Sequence, residues 1–489
     1  MSQTITVSEL RKIAEQTMVE NGFQTNFSAQ ISNELYSLKH KKLSQDSSIK
    51  DLRALLWSSI DNDSSKDLDQ IEVAEQLPNG DIRLLIAIAD VDEYVRKGST
   101  IDAIARKQTV SVYTETKILP ILPHEISENL TSLLPNVDRL AIVIEMVIKE
   151  NGDVPEHSIY RALTHNYAKL TYSEVGEWLD ENGSEPTEVT KIEGLREQIL
   201  LQQKAADRLL EFRRKCGSLE FESIESSPVF EGGEAKDLNI IKTNSARKII
   251  ENFMVAANVE MAEFLDEKNF ASIRRIVKTP ARWERIREIA QKYGENLPVE
   301  PNSSALSEFL KRRKVANPEQ FPDLSLSVIK LIGAGEYVVQ KPNEKSEGHF
   351  GLAVRDYTHS TAPNRRYPDL IVQRMVKAAL KNQKSPYTDE ELAQIAEQCN
   401  EQESAARKVE RKMRKVIAAS VMQNRIGEVF EAIVTGITPS GTFARILRPP
   451  VDGRIVRGEE SVQVGEKIRV KLLATNIHNG YIDFANDKD

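Results

Sequence analysis

The chain has 489 residues, 40% of them apolar, and a formal net charge of −8. That length suits roughly three domains of about 150 residues each, with enough apolar content for a large core. The acidic balance argues against a surface that coats nucleic acid everywhere, but it allows a channel with locally basic walls. No apolar run approaches the roughly 18 residues of a membrane span, so no membrane association is expected. The first residues lack the charged head and apolar run of a signal peptide. Cys216 and Cys399 lie far apart in sequence and suggest neither a disulfide framework nor a zinc site. A cytoplasmic, monomeric protein is expected.

Residues 1–50 read as polar and helical. Val7, Leu10, Ile13 and Met18, then Phe27, Ile31, Leu35 and Leu38, recur at helical spacing. They form a small helical region, either helix-turn-helix-like or a docking arm. Residues 51–150 read mainly as strand. Gln70 to Leu77 and Asp81 to Ala89 flank Pro78-Asn79-Gly80, and Asn-Gly is a strong hairpin signal. Leu84 to Ala89 is apolar throughout, which predicts burial on both faces. Leu140 to Ile148 is a further apolar segment ending at Asn151-Gly152.

Residues 160–270 read as alternating strand and helix, with helices over Ile192 to Arg214 and Ala246 to Lys268. The second places Ile249, Ile250, Phe253, Met254, Ala257, Met261 and Phe264 on one face. Residues 280–330 read as helical. A long helix is predicted from Leu392 to Arg425, and its window 404–425 holds seven basic residues and one acid, Glu410. Residues 427–486 break into five short strands, which suggests a small barrel. Phe443 beside Arg445, with Arg454 and Lys471, is the aromatic-plus-basic mixture of single-strand binders. The bland alternative is that Phe443 is core.

The densest chemistry lies between Ser58 and Gln70, where Asp61, Asp63, Asp67 and Asp69 fall within nine residues. Carboxylates this crowded repel each other unless cations sit between them, and hard oxygen ligands suit Mg²⁺, Mn²⁺ or Ca²⁺. Three readings compete: a solvated acidic loop, an EF-hand loop and a catalytic metal site for phosphoryl transfer. The EF-hand spacing is met by Asp61, Asp63, Ser65 and Glu72, but Lys66 stands where the turn needs Gly, and the flanks read as strands. A second stretch, Tyr357 to Asp369, fixes its backbone with prolines around Arg365-Arg366. Arginine binds phosphate in a bidentate manner, although such a pair in isolation is more often surface charge.

Taken in order, these motifs resemble the ribonuclease II / ribonuclease R family, exoribonucleases with an RNB catalytic domain, over about residues 50–486. Ser-Ile-Asp…Lys-Asp-Leu-Asp looks like the family's metal-binding aspartate motif, and Leu84 to Asp90 is similar to the strand that follows it. Tyr113, ahead of Ile-Leu-Pro-Ile-Leu-Pro, resembles a tyrosine that stacks on bases near the RNA 3′ end. Tyr357 to Asp369 looks like the catalytic arginine motif, and Glu410-Arg411 resembles the glutamate of a late helix. The final barrel looks like an OB-fold of the ribosomal-protein-S-one type.

The resemblance implies an α+β fold. An RNB catalytic domain over 51–425 would set a mixed sheet and helices around an RNA channel. A five-stranded OB-fold over 426–489 would follow it, and the helical residues 1–50 would precede it. It further implies a hydrolytic 3′→5′ exoribonuclease that degrades single-stranded RNA to nucleoside 5′-monophosphates. The cofactor is expected to be Mg²⁺, with Mn²⁺ as the alternative, held by Asp61, Asp67, Asp69 and Gln70. Asp67, Asp69 and Arg365 are the catalytic candidates; Tyr113, Tyr172, Glu251, Arg366, Glu410, Phe443, Arg445 and Arg454 are the RNA-contact candidates. Three departures stand out. Gln70 occupies the place of a usual fourth aspartate, so Asp63 is a substitute source of charge. Ala-Pro-Asn-Arg-Arg replaces the usual Ser-Pro-Ile-Arg-Arg. Two cold-shock barrels, common ahead of this domain, do not fit into 50 residues. The alternative function is a non-catalytic RNA-binding protein with a degenerate metal site.

Overall fold

Strand pairing around the aspartate loop sets the centre of the molecule, seen in a computed structural model that describes residues 5–26, 31–41, 46–181, 183–241 and 243–487. The expected Phe27 contribution to a helix lies outside these residues. Gln70–Gln76 and Ile82–Ala89 pair antiparallel in unbroken register, Gln70 opposite Ile88 and Gln76 opposite Ile82. Gly80 turns between them at φ +88°, a conformation that favours glycine. Asp138–Ile148 continues the sheet on the far side of Ile82–Ala89, which is why that strand tolerates an almost unbroken apolar run.

The 16-residue strand Glu156–Thr171 then changes partner along its length. Its first part runs antiparallel to Asp138–Ile148, and its second part runs parallel to Trp57–Asp61. Trp57–Asp61 in turn meets Gln70–Gln76 at one register pair, Ser58 with Glu72. The pairings therefore return to the long strand, and the sheet curls back on itself.

The helix Ser245–Glu267, capped by the Asn244 side chain, buries Ala246, Ile249, Phe253, Ala257 and Met261 in the main core with this sheet. Leu195–Lys215 packs beside it. Gln198 bonds both the N–H (2.9 Å) and the C=O (2.6 Å) of Ala74, and Gln202 donates to the C=O of Glu72 at 3.4 Å. Helix side chains thus take over the edge of Gln70–Gln76 where Trp57–Asp61 peels away. Tyr367–Leu380, entered directly from the paired arginines, is buried along nearly all its length.

Asp389–Met422, a 34-residue helix opened by a Thr388/Glu391 capping box, runs from this core to the C-terminal barrel. The five strands Val429–Thr438, Gly441–Ile446, Val451–Arg457, Lys467–Asn476 and Tyr481–Asn486 close that barrel. Its interior forms one cluster with Val416 of the long helix and with Leu10, Ala14 and Met18 of the first helix, Val7–Glu20. The second helix, Ile31–Lys39, packs on Thr100–Gln108 instead. Among the described residues no helix is long and apolar enough to cross a membrane.

Candidate active site

Asp61 ends its strand where Trp57–Asp61 diverges from its neighbour, and the loop from Asn62 to Asp69 returns to Gln70. Three anchors fix this loop. Asp61 Oδ1 accepts from the Asn62 N–H (2.7 Å) and the Ser65 hydroxyl (2.9 Å). Lys169 donates to the carbonyls of Asp63 (3.2 Å) and Ser65 (2.5 Å). The Ser132 hydroxyl donates to the Lys66 carbonyl at 2.7 Å and accepts the Leu68 N–H at 2.9 Å. With strands on both sides and Glu72 inside one of them, the EF-hand reading is excluded. Asp63 accepts from the Ser173 hydroxyl at 3.1 and 3.2 Å.

Asp69 is 2% exposed. Its Oδ1 accepts the backbone N–H of Asn364 at 3.1 Å and its Oδ2 accepts from Arg365 Nε at 3.2 Å. Burial pushes its carboxyl up to about 7; Arg365 opposes the shift and the charge of Asp67 adds to it. Asp67 is half-buried, is also raised by burial, and accepts from the Tyr113 hydroxyl at 3.4 Å. Gln70 opens the next strand as a buried residue opposite Ile88.

The arginine is presented by a loop with its own network. Asn258 Oδ1, from the central helix, accepts both the N–H and the hydroxyl of Ser360 at 2.8 Å. Asp369 accepts the Ala362 N–H at 2.8 Å, and the Arg365 carbonyl accepts the Ser111 N–H at 2.9 Å. The Arg365 side chain is left 45% exposed, with Nε on Asp69 and its Nη groups unengaged among the described residues. Arg366 points elsewhere: its guanidinium donates to Asp369 at 2.7 Å and lies 3.4 Å from Thr361 Oγ1. That pairing ties it to the helix that follows the loop.

Tyr113, 37% exposed, stands on the short strand Val112–Tyr113 beside the aspartates. Its backbone N–H donates to Glu410 Oε1 at 3.2 Å, so Glu410 reaches this site by holding Tyr113. The Tyr172 ring packs 4.5 Å from the Arg247 guanidinium, and Arg247 donates to Asn62 Oδ1 at 3.2 Å. Glu251 is exposed one helical turn beyond Arg247. In the barrel, Arg454 is exposed and lies directly across from half-buried Phe443. Arg445 differs from its sequence reading: it is 7% exposed and ion-paired with Asp323 at 2.6 Å, and so joins barrel to helix.

Sequence reasoning missed Glu72 except as an EF-hand position. It is fully buried, neither carboxylate oxygen has a hydrogen-bond partner among the described residues, and burial holds its carboxyl well above the ordinary range, with Asp61 adding to the shift. The oxygen donors and this orphaned carboxylate fit a hard divalent cation, which Asp61, Asp67 and Asp69 would hold. Among the described residues, the three-ligand group whose atoms all lie within 4.8 Å of one another is a different one, His157, Glu260 and Glu263.

An acidic loop with a buried carboxylate, a half-exposed arginine and a tyrosine platform, on a curled sheet followed by a five-stranded barrel, defines a class that comparison identifies. The RNB domain matches residues 49–382, and the RNase II-type exonuclease C-terminal S1 domain matches residues 428–486. The chain belongs to the RNB-domain family. Among curated relatives it is 32% identical to ribonuclease R of Thermotoga maritima, over 89% of this chain and 64% of that protein. It is 30% identical to ribonuclease R of Escherichia coli K12, over 89% and 57%, and 29% identical to that of Vibrio cholerae, over 89% and 56%. The chain thus spans little more than half the length of the latter two. Mycoplasma genitalium RNase R in its apo form shares the fold at a TM-score of 0.87 and 22% identity, covering 98% of this chain and 78% of that one. Yeast Ssd1, a pseudonuclease, shares it at 0.69 and 16%, covering 92% and 56%. The fold alone therefore does not decide activity.

Proposed function

We propose that this protein is a hydrolytic 3′→5′ exoribonuclease that shortens single-stranded RNA to nucleoside 5′-monophosphates. The observation that carries this reading is the Asp69–Arg365 pair, a buried carboxylate beside a guanidinium whose outer nitrogens remain available. A phosphodiester is already anionic, so its hydrolysis needs positive charge placed where the transition state gathers negative charge. Arg365, fixed by Asp69 and by its loop, stabilises the pentavalent phosphate. Tyr113 stacks on a terminal base, which is sequence-tolerant because every base has a π-face, and holds the scissile bond near the aspartates. Bound Mg²⁺ or Mn²⁺ supplies charge neutralisation and lowers the pKa of an attacking water. Asp61, Asp67 and Asp69 would hold the cation. Arg454 and Phe443 guide the strand at the barrel.

The reading is tested with 5′-labelled single-stranded RNA in Mg²⁺, Mn²⁺ or EDTA. A metal-dependent ladder shortening from the 3′ end is expected from the parent and is expected to vanish in Asp69→Asn. Arg365→Lys should lower turnover far more than affinity, because lysine cannot reproduce the two-pronged contact. Binding of RNA without cleavage in every metal would instead favour a non-catalytic RNA-binding protein, a reading that the uncharged Gln70 alone supports.

A further inference from the structure

We propose that Arg247 grips a non-scissile phosphate of the bound RNA strand, at the opposite end of the aspartate loop from Arg365. The inference rests on the reading of this loop as an RNA site. Its starting point is the register of two parallel strands, which sets Asp61 opposite Thr171. The next residues of each, Asn62 and Tyr172, therefore leave the sheet side by side. The helix Ser245–Glu267 is fastened to the same place. The Asn244 side chain that caps it accepts the Arg247 N–H at 3.0 Å and donates to the Tyr172 carbonyl at 2.6 Å. Arg247, in the first turn of that helix, reaches both. Its guanidinium lies 4.5 Å from the centre of the Tyr172 ring and donates to Asn62 Oδ1 at 3.2 Å. Asn62 in turn gives its own N–H to Asp61 at 2.7 Å.

The company this arginine keeps sets it apart. Arg365 pairs with Asp69, Arg366 with Asp369 and Arg445 with Asp323. Arg247 is half-buried, yet it forms no ion pair among the described residues. A guanidinium carries more N–H donors than one amide oxygen can accept, and Asn62 brings no charge. A cation drawn part-way out of water on neutral partners lacks its anion. Phosphate supplies both needs, because it carries the charge and accepts two parallel N–H bonds. The Tyr172 ring and Asn62 already hold the guanidinium plane, so little side-chain freedom is lost on binding. Arg365 serves the other end of the loop, on Asp69. The two arginines therefore take different phosphates of one strand.

The test measures the affinity of the full chain for a short single-stranded RNA in EDTA, over a series of KCl concentrations. Arg247→Gln is expected to weaken binding by about tenfold or more, the scale of a hydrogen bond to a charged group. It should also flatten the slope of log affinity against log salt by about 0.7, because one fewer phosphate of a single strand is neutralised. RNAs carrying one neutral methylphosphonate at successive linkages then locate the contact. At one linkage the neutral group should cost the parent affinity and cost Arg247→Gln nothing. Weaker binding with the parent's salt slope and the parent's linkage pattern overturns the phosphate contact, since that is the outcome if Arg247 only positions Tyr172 and Asn62. Unchanged affinity overturns it outright, while metal-dependent degradation by the parent leaves the exoribonuclease reading standing. Failure of the parent either to bind or to degrade RNA overturns both. Should Arg247→Gln not fold, Arg247→Lys, which keeps the charge and loses the fork, is read by the linkage scan. A smaller penalty than the parent's at that one linkage supports the contact, and the parent's full penalty overturns it.

Discussion

Glu410 accepts the backbone N–H of Tyr113 at 3.2 Å from within the basic run of the long helix. A residue singled out as an RNA contact therefore acts on the site through the tyrosine that it holds. The contact needs only an acceptor oxygen, so the amide of Gln can replace the carboxylate where Ala cannot. Glu410→Gln should leave the length of the final undegraded RNA fragment as in the parent. Glu410→Ala should shift it in the same direction as Tyr113→Ala. Denaturing gel analysis of end products reads both, and parent-like fragments from Glu410→Ala would remove the contact from the argument. The same scale shows what sequence could not reveal. Asp69 and Arg365 could be singled out through the motifs that carry the resemblance, and the structure sets them 3.2 Å apart. Which of Arg365 and Arg366 is tied down was not legible, because it is decided by Asp369, three residues beyond Arg366 on the helix that follows. Glu72 was illegible for a related reason: a charge inside an apolar strand looks like a surface position until burial is known.

Elements that keep one partner along their length were readable. The hairpin around Asn79-Gly80 was marked by its turn, the helix Ser245–Glu267 by its period and the barrel by short strands set between turns. Glu156–Thr171 was not readable as one strand, because burial covers both faces in its first part and alternates in its second. The helix Tyr367–Leu380 carries a prediction of its own. Asp369 is 0% exposed, pairs with Arg366 at 2.7 Å and accepts the Ala362 N–H at 2.8 Å. Removing one member of a buried pair strands the other, so Asp369→Ala should cost about 3–5 kcal/mol in denaturant unfolding. It should also lower turnover, because the loop presenting Arg365 loses its anchor.

The sheet is tied to the central helix by His157, whose Nδ1 lies 2.7 Å from Glu260 Oε2. The hydrogen bond to Glu260 raises the pKa of His157 against the opposing effect of burial, and the charges of Glu260, Glu267 and Glu263 add to the rise. A raised folded-state value means that protonation favours the folded protein. This contribution is fully present below the unfolded value of about 6.5 and is lost as pH rises through the higher folded one. His157→Gln abolishes it. The Tm difference between parent and variant should therefore be largest near about pH 6 and narrow toward about pH 9, measured by calorimetry. A difference that is constant or widens over that range would contradict the assignment.

At the scale of the molecule, three hydrophobic clusters divide the described residues, and one of them crosses the boundaries drawn from sequence. The barrel interior, the end of the long helix and the first helix form a single cluster, with Leu10, Ala14 and Met18 at 0% exposure. The first helix is further held by Val7, whose N–H donates to the Gly233 carbonyl at 2.8 Å. Those contacts favour a docking arm over a free-standing helix-turn-helix unit, since its apolar face is spent on the long helix and barrel. Truncating a fully buried leucine removes its transfer free energy and leaves a cavity, so Leu10→Ala should cost about 2–5 kcal/mol. The loss should be local. The barrel, reached through Gln423–Arg425, should become susceptible to protease near that junction, while the main core keeps its protection against hydrogen exchange. Limited proteolysis with mass spectrometry reads the first, and exchange at Ile82–Ala89 reads the second. If Leu10→Ala left the junction as resistant as in the parent, the first helix would not be what holds the barrel to the rest of the chain.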